Sequence, residues 1–148
     1  MEQFGSTLMS YARKMGRIYE QSGLVKIPKK QVVLKICLNL LDQLETIHEA
    51  GYVHNDIKPS NVTIGQADDD SNQAMKARLI DYGVSKSYLN EDGFHRSESE
   101  SCAFSGNSLF AHHFTLSYKF PSRACDVVSL GFMMLYILGE FNLKHLYF

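Results

Sequence analysis

One long amphipathic stretch sets the first constraint on the fold of this 148-residue chain. From Lys30 to Ala50 apolar residues recur at steps of three and four, which predicts a helix with one buried face, and Gly51 follows as its end. Such a stripe is typical of core packing, so it predicts structure and not chemistry. The predicted face consists of Val33, Ile36, Cys37, Leu40, Leu41, Leu44, Ile47 and His48.

Shorter patterns predict the remaining elements. Residues 6–20 suit a short helix with Ser6 or Thr7 as its cap, and "VTI" (62–64) and "ARLI" (77–80) suit two short strands. The connection between the strands contains three consecutive aspartates, which we interpret as a solvated turn because calcium-loop spacing is missing. Residues 84–118 show no clear period and predict a long functional or disordered loop.

Composition and charge narrow the classes of partner. The net charge of −1 gives no bulk positive field, so we predict binding to neither nucleic acid nor a membrane surface. The apolar run at 127–139 is shorter than the roughly 20 residues of a membrane helix, and a buried central helix explains it better. Three cysteines without paired spacing, and no signal peptide, predict a reducing compartment, cytoplasmic or nuclear, and a chain that is not secreted.

The segment "GYVHNDIKPSNVTI" (51–64) carries the strongest indication of chemistry. Phosphoryl transfer needs a group that orients the attacking hydroxyl, positive charge on the moving phosphate, and oxygen ligands for magnesium. Asp56 would face the substrate hydroxyl, Lys58 would steady the γ-phosphate of ATP, and Asn61 would ligate Mg²⁺. Asp81, directly after the second predicted strand, would supply the second magnesium ligand.

These motifs resemble the catalytic loop and the D-F-G turn of eukaryotic protein kinases, here written D-Y-G. More narrowly, "TIHEAGYVHNDIKPSN" and "SRACDVVSLGF" are similar to the casein kinase 1 and vaccinia-related kinase group. The resemblance implies a serine/threonine protein kinase of α+β class that uses ATP and Mg²⁺ on protein substrates. It also implies that residues 1–148 represent the C-terminal lobe only, mainly α with a short β-hairpin that carries the two loops.

The same resemblance assigns further residues. The start "MEQFGSTL" is similar to the kinase hinge, which implies that the carbonyl of Glu2 and the N–H of Phe4 contact adenine, with Met1 as gatekeeper. Asp126 would brace the backbone of the catalytic loop. Lys119 and Arg123 are candidates for contacts with acidic substrates. The residues expected to support the site are His54, Tyr82, Gly83 and Asp126.

The chain also departs from the kinase pattern. Asn55 stands where many kinases have an arginine that receives a phosphate, so we expect activity not to require phosphorylation of the activation segment. No G-x-G-x-x-G motif occurs in the sequence. From the resemblance we expect the family's small lobe and last helices to be absent from residues 1–148. We therefore expect negligible activity from this chain alone.

Two alternatives stay open. The chain could serve as a non-catalytic kinase-lobe scaffold that binds a full-length kinase or its partners. A small-molecule phosphotransferase with the kinase fold is a weaker alternative, because Lys58 followed by Pro59 fits protein kinases better.

Overall fold

A computed structural model describes residues 6–13, 30–65, 76–97 and 99–139. The expected adenine contacts of Glu2 and Phe4, the gatekeeper Met1 and the acidic turn at 68–70 lie outside these residues. The described helices are α1 (Lys30–Glu49), α2 (His113–Leu116) and α3 (Arg123–Ile137), and residues 8–13 are also helical. The described strands are β1 (Ser6–Thr7), β2 (Tyr52–Val53), β3 (Val62–Gly65), β4 (Lys76–Leu79) and β5 (Lys86–Ser87).

Helix α1 forms where the apolar period predicted it, and Gly51 follows it with φ +85°, a conformation that glycine adopts without strain. One expected core residue departs from the prediction, because Leu41 at the edge of the stripe is 39% exposed. Burial raises the pKa of the Cys37 thiol on this face to about 12. The residues of α1 that the core buries are Val33, Ile36, Cys37, Leu40 and Leu44.

The two predicted strands pair as an antiparallel hairpin, β3 with β4, with Val62 opposite Leu79. The strand β1 adds to the other edge of β3, which corrects the prediction of a helix from residue 6. The helical residues begin at position 8, and Thr7 is the cap, since its Oγ1 accepts a hydrogen bond from the N–H of Ser10 at 3.2 Å. A second, two-stranded sheet pairs β2 with β5.

Helix α3 begins at Arg123, four residues before the apolar run at 127–139 that predicted it. The reason is a capping box, in which the N–H of Ser122 donates to the Sγ of Cys125, the residue at the position usually held by Glu or Gln. Leu130 and Met133 are buried in one core with α1 and the β3–β4 hairpin. Within the described ranges, the helices are all too short or too polar to cross a bilayer.

The ranges 88–97 and 99–120 are more regular than their sequence predicted. Leu89 pairs with His95, and Ser101 pairs with Lys119, each as a single antiparallel bridge. The short helix α2 follows, and the side chain of His112 caps it by accepting from the N–H of Phe114. Pairings between distant single residues leave no period in the sequence, which is why the pattern predicted a loop.

Candidate active site

Three of the predicted site residues meet in the connection between β2 and β3. The Oδ2 atom of Asp56 lies 2.5 Å from the Nζ of Lys58 and accepts a hydrogen bond from the Nδ2 of Asn61 at 2.8 Å. The same Asn61 amide donates to the carbonyl of Asp56 at 3.0 Å. The short 3₁₀ helix Pro59–Asn61 turns the chain so that these side chains face each other. The spacing of the three residues therefore lets the Lys58 ammonium and the Asn61 carboxamide bind the same oxygen of Asp56.

The second oxygen of Asp56 has a different environment. Oδ1 is buried and has no hydrogen-bond partner among the described residues. A buried oxygen without a partner is costly, so such an atom is a candidate to accept a proton or a hydrogen bond from a substrate. Backbone at Gly106 approaches it, since a Cβ built on Gly106 would lie 3.6 Å from Oδ1. Asp56 thus has one oxygen held by the protein and one left free.

Asp126 holds the backbone just before Asp56. Its Oδ2 accepts from the N–H of His54 and its Oδ1 from the N–H of Asn55, both at 2.8 Å. The Nε2 of His48, near the end of α1, lies 2.9 Å from the same Oδ2. The apolar pattern placed His48 on the inner face of α1 but did not predict its contact with Asp126.

His54 is fully buried and joins the two loops of the site. Its Nδ1 accepts from the N–H of Asp56 at 3.3 Å, and its Nε2 donates to the carbonyl of Ile80 at 3.2 Å, an arrangement that fits the neutral ring. Burial lowers the pKa of His54 despite the charge of Asp126. The rings of His54 and Tyr82 lie 4.9 Å apart. Tyr82 is half exposed, and burial of its other half raises its pKa.

Asp81 lies on the turn after β4 and is exposed. Its φ of +66° is stabilised locally, because its Oδ1 accepts from the N–H of Gly83 at 3.3 Å. The N–H of Ile80, one residue earlier, donates to the carbonyl of Asn61 at 2.9 Å and fixes the two turns side by side. The described residues contain no group of three or more His, Cys, Asp or Glu side chains that could hold a metal ion.

The candidate substrate-binding cations lie elsewhere. Arg123 stacks on the ring of Tyr88 at 5.1 Å, and Lys119 stacks on the ring of Phe114 at 5.4 Å. Cation–π contacts of this kind are worth about 0.5–1 kcal/mol at exposed sites. Both side chains therefore pack against aromatic rings, in addition to the contacts with acidic substrates that the sequence suggested.

Comparison with known proteins adds independent findings. A family model described as "Protein kinase domain" matches residues 6–145. The chain is 33% identical over 109 residues to a probable casein kinase I homolog of Encephalitozoon cuniculi, covering 73% of this chain and 34% of that protein. It is 37% identical over 109 residues to human serine/threonine-protein kinase VRK2, covering 72% of this chain and 20% of that protein.

A third relative, a probable serine/threonine-protein kinase of Dictyostelium discoideum, is 32% identical over 108 residues, which cover 73% of this chain and 20% of that protein. The chain thus matches between a fifth and a third of the length of these curated relatives.

Proposed function

The chain belongs to the protein kinase domain family, and from that premise we propose that its Asp56 loop serves phosphoryl transfer from ATP to serine or threonine hydroxyls of protein substrates, as in casein kinase 1-like enzymes. The main support for the proposal is that the two carboxylate oxygens of Asp56 lie in different environments. Lys58 and Asn61 hold one oxygen, and the other is buried without a partner. A carboxylate fixed in this way is oriented before a substrate arrives.

Each residue of the cluster has a role that its geometry supports. The Oδ1 of Asp56 would accept the hydrogen bond, and then the proton, of the attacking hydroxyl. Lys58 bonds to Asp56 and brings a positive charge beside the carboxylate, where the transferred phosphoryl group would arrive. Asp126 holds the loop backbone through two N–H groups and thereby fixes the direction of the Asp56 side chain.

The donor set is compatible with magnesium. Mg²⁺ prefers carboxylate and carboxamide oxygens, and it is usually held by one or two carboxylates together with substrate phosphates and water. Asn61 and Asp81 are such donors, and the hydrogen bond from Ile80 to Asn61 keeps their turns adjacent. Bound magnesium would neutralise charge that develops on the phosphate oxygens.

We expect this chain alone to turn over ATP negligibly. It contains no G-x-G-x-x-G motif to cover the phosphates from the other side, and positioning supplies most of the rate in this chemistry. The test is therefore binding. Saturating Mg·ATP, at about 100 times its Kd, should stabilise the folded chain by about 2.7 kcal/mol in thermal or urea unfolding. Asp81→Asn should reduce this stabilisation, whereas the exposed control Asp92→Asn should leave it unchanged.

A comparison of Mg·ATP with metal-free ATP distinguishes the proposed nucleotide site from the scaffold alternative. ATP with EDTA should stabilise the chain less than Mg·ATP, because Asp81 would then meet uncompensated phosphate charge. If Mg·ATP leaves the unfolding transition of the native chain unchanged, the proposal of a nucleotide site is wrong. The scaffold alternative would then be the better account of the chain, with a full-length kinase or its partners as the proteins to test.

A further inference from the structure

A groove between α1 and α3 takes no part in the proposed reaction. Its volume is about 520 Å³, which is typical of binding clefts. Leu41 and Leu44 of α1 and Val127 of α3 form its apolar lining, and Tyr88 and Arg123 complete that side of the lining. Val127 is 47% exposed, and Leu41 is also accessible to solvent. The described part of the chain therefore leaves an apolar surface open in this groove.

The apolar surface continues along α1 beyond the groove. Leu34 and Leu38 precede Leu41 at steps of four and three, so the three side chains lie on one side of the helix. Leu34 is 53% exposed and Leu38 is 63% exposed. The stripe from Leu34 to Leu41 is about 10 Å long, from the rise per residue of an α-helix. A groove that continues into such a stripe suits a segment of protein better than a small molecule.

Three carboxylates border the same groove. Asp42, Glu45 and Glu49 of α1 all line it, together with a single guanidinium, that of Arg123. Arg123 is stacked on the ring of Tyr88, and none of the three carboxylates forms an ion pair with another described residue. The groove therefore combines an apolar lining with an excess of negative charge.

Two of these carboxylates lie where they cost α1 stability. Glu45 and Glu49 are four positions apart, so they are neighbours of like charge on the helix surface. Glu49 is also the last residue of α1, where the negative end of the helix dipole disfavours a carboxylate. A cation bound beside the two side chains would relieve both repulsions. The charge pattern therefore favours a positively charged occupant.

From the apolar lining and the carboxylates we propose that the groove binds a basic amphipathic segment of a partner protein, whose apolar side chains pack on Leu41 and Val127 while its lysines or arginines pair with the carboxylates. The phosphate groups of a nucleic acid or a lipid would be repelled. A second copy of the chain is also disfavoured, because a twofold contact through this groove would bring the carboxylates of both copies together. The inference does not depend on the proposed function.

Titration of the native chain with a synthetic peptide tests the proposal. The peptide contains only leucine and lysine, with the leucines at steps of three and four, and calorimetry without nucleotide measures its Kd. Replacing its lysines with glutamate, or its leucines with serine, should abolish binding. The double variant Glu45→Gln, Glu49→Gln should raise the Kd by roughly 2- to 30-fold, as expected for two exposed ion pairs. Val127→Thr, which keeps the side-chain volume at an exposed position, should also raise it.

Glu91→Gln, Asp92→Asn is the matched control. Both residues are exposed on a turn outside the groove, so the variant loses the same charge and should keep the wild-type Kd. An unchanged Kd in the groove variant would overturn the proposal. An equal rise in the control would overturn it too, since net charge alone would then attract the peptide.

Sedimentation of the chain without peptide tests the other occupant. Concentration-dependent dimers that Val127→Thr dissociates would assign the groove to a second copy and would overturn the proposal, whereas a monomer that binds the peptide supports it. Absence of Mg·ATP binding while the peptide still binds would count against the proposed function alone.

Discussion

His48 and Asp126 are 78 residues apart in the chain, and the Nε2 of the one lies 2.9 Å from the Oδ2 of the other. The contact joins the end of α1 to the first turn of α3, and the carboxylate between them also accepts from two backbone N–H groups in the loop that contains Asp56. Asp126 is 1% exposed, so water replaces none of these partners. The two long helices and the loop are therefore fixed to one another at one carboxylate.

Replacing Asp126 with Asn should destabilise the fold. The substitution puts an NH₂ group opposite one backbone N–H, so that N–H loses its acceptor while buried. We expect the free energy of unfolding to fall by about 1.5–3 kcal/mol, as for other hydrogen bonds to a charged group. Urea unfolding measures the change, and Asp42→Asn on the exposed side of α1 should stay within about 0.5 kcal/mol of wild type.

Gly106→Ala should destabilise the chain more than Gly93→Ala. Both glycines have positive φ, at +97° and +80°, so both substitutions introduce backbone strain. Only at Gly106 does the new methyl group also collide with a carbonyl, whereas the space at Gly93 is open. The difference should be about 1–3 kcal/mol in urea unfolding, the usual range for overpacking. Equal losses of unfolding free energy in the two variants would show that the loop at Gly106 moves to accommodate the methyl group.

Acidification should weaken the fold through His54. Because burial lowers its pKa in the folded state, the unfolded chain binds a proton first as the pH falls through the ordinary value near 6.5. Stability conferred by the neutral ring is therefore present above pH 6.5 and is lost as the pH drops below it. His54→Gln should flatten the dependence between pH 7 and 5 in urea unfolding.

His112 also has a pKa lowered by burial, so it contributes in the same direction and in the same pH range. The double variant His54→Gln, His112→Gln should accordingly lose more of the dependence than either single change. A wild-type slope that persists unchanged in the His54 variant would mean that another group binds the proton.

Thiol labelling should distinguish the three cysteines. Cys37 and Cys125 are buried, and the pKa of Cys37 is raised to about 12, so little thiolate forms there. Cys102 is partly exposed. In the native chain at pH 8, iodoacetamide should modify Cys102 first, with the other two reacting only in urea. Cys102→Ser should remove the fast reaction, and rapid labelling of Cys37 would contradict its burial.

The sequence predicted the elements whose patterns are local. The three-to-four-residue period of α1 and the two strand-like runs at 62–64 and 77–80 reflect burial of one face, and the structure confirms them. The proximity of Asp56, Lys58 and Asn61 could be predicted for the same reason, since six consecutive positions contain all three and the 3₁₀ turn brings them together.

The missed strand pairing and side-chain contacts join residues that are distant along the chain. The strand β1 has only two residues and depends on its pairing with β3. The contacts of His48 with Asp126 and of Asn55 with Ser105 join residues 78 and 50 positions apart. No period or spacing specifies such pairs, because each partner is an ordinary polar residue until the fold brings it to the other.

The short strand β1 has a mechanical consequence. Ser6 and Thr7 pair with Ile64 and Thr63 on β3, and β3 begins directly after Asn61. Tension on the chain ahead of Ser6 would therefore act first as shear on β3, a few residues from the candidate magnesium ligand. The force would reach this pairing before it reached the leucine-rich core around α1. Any force that reaches Ser6 from the preceding chain would therefore be transmitted through β3 to the loop that contains Asp56.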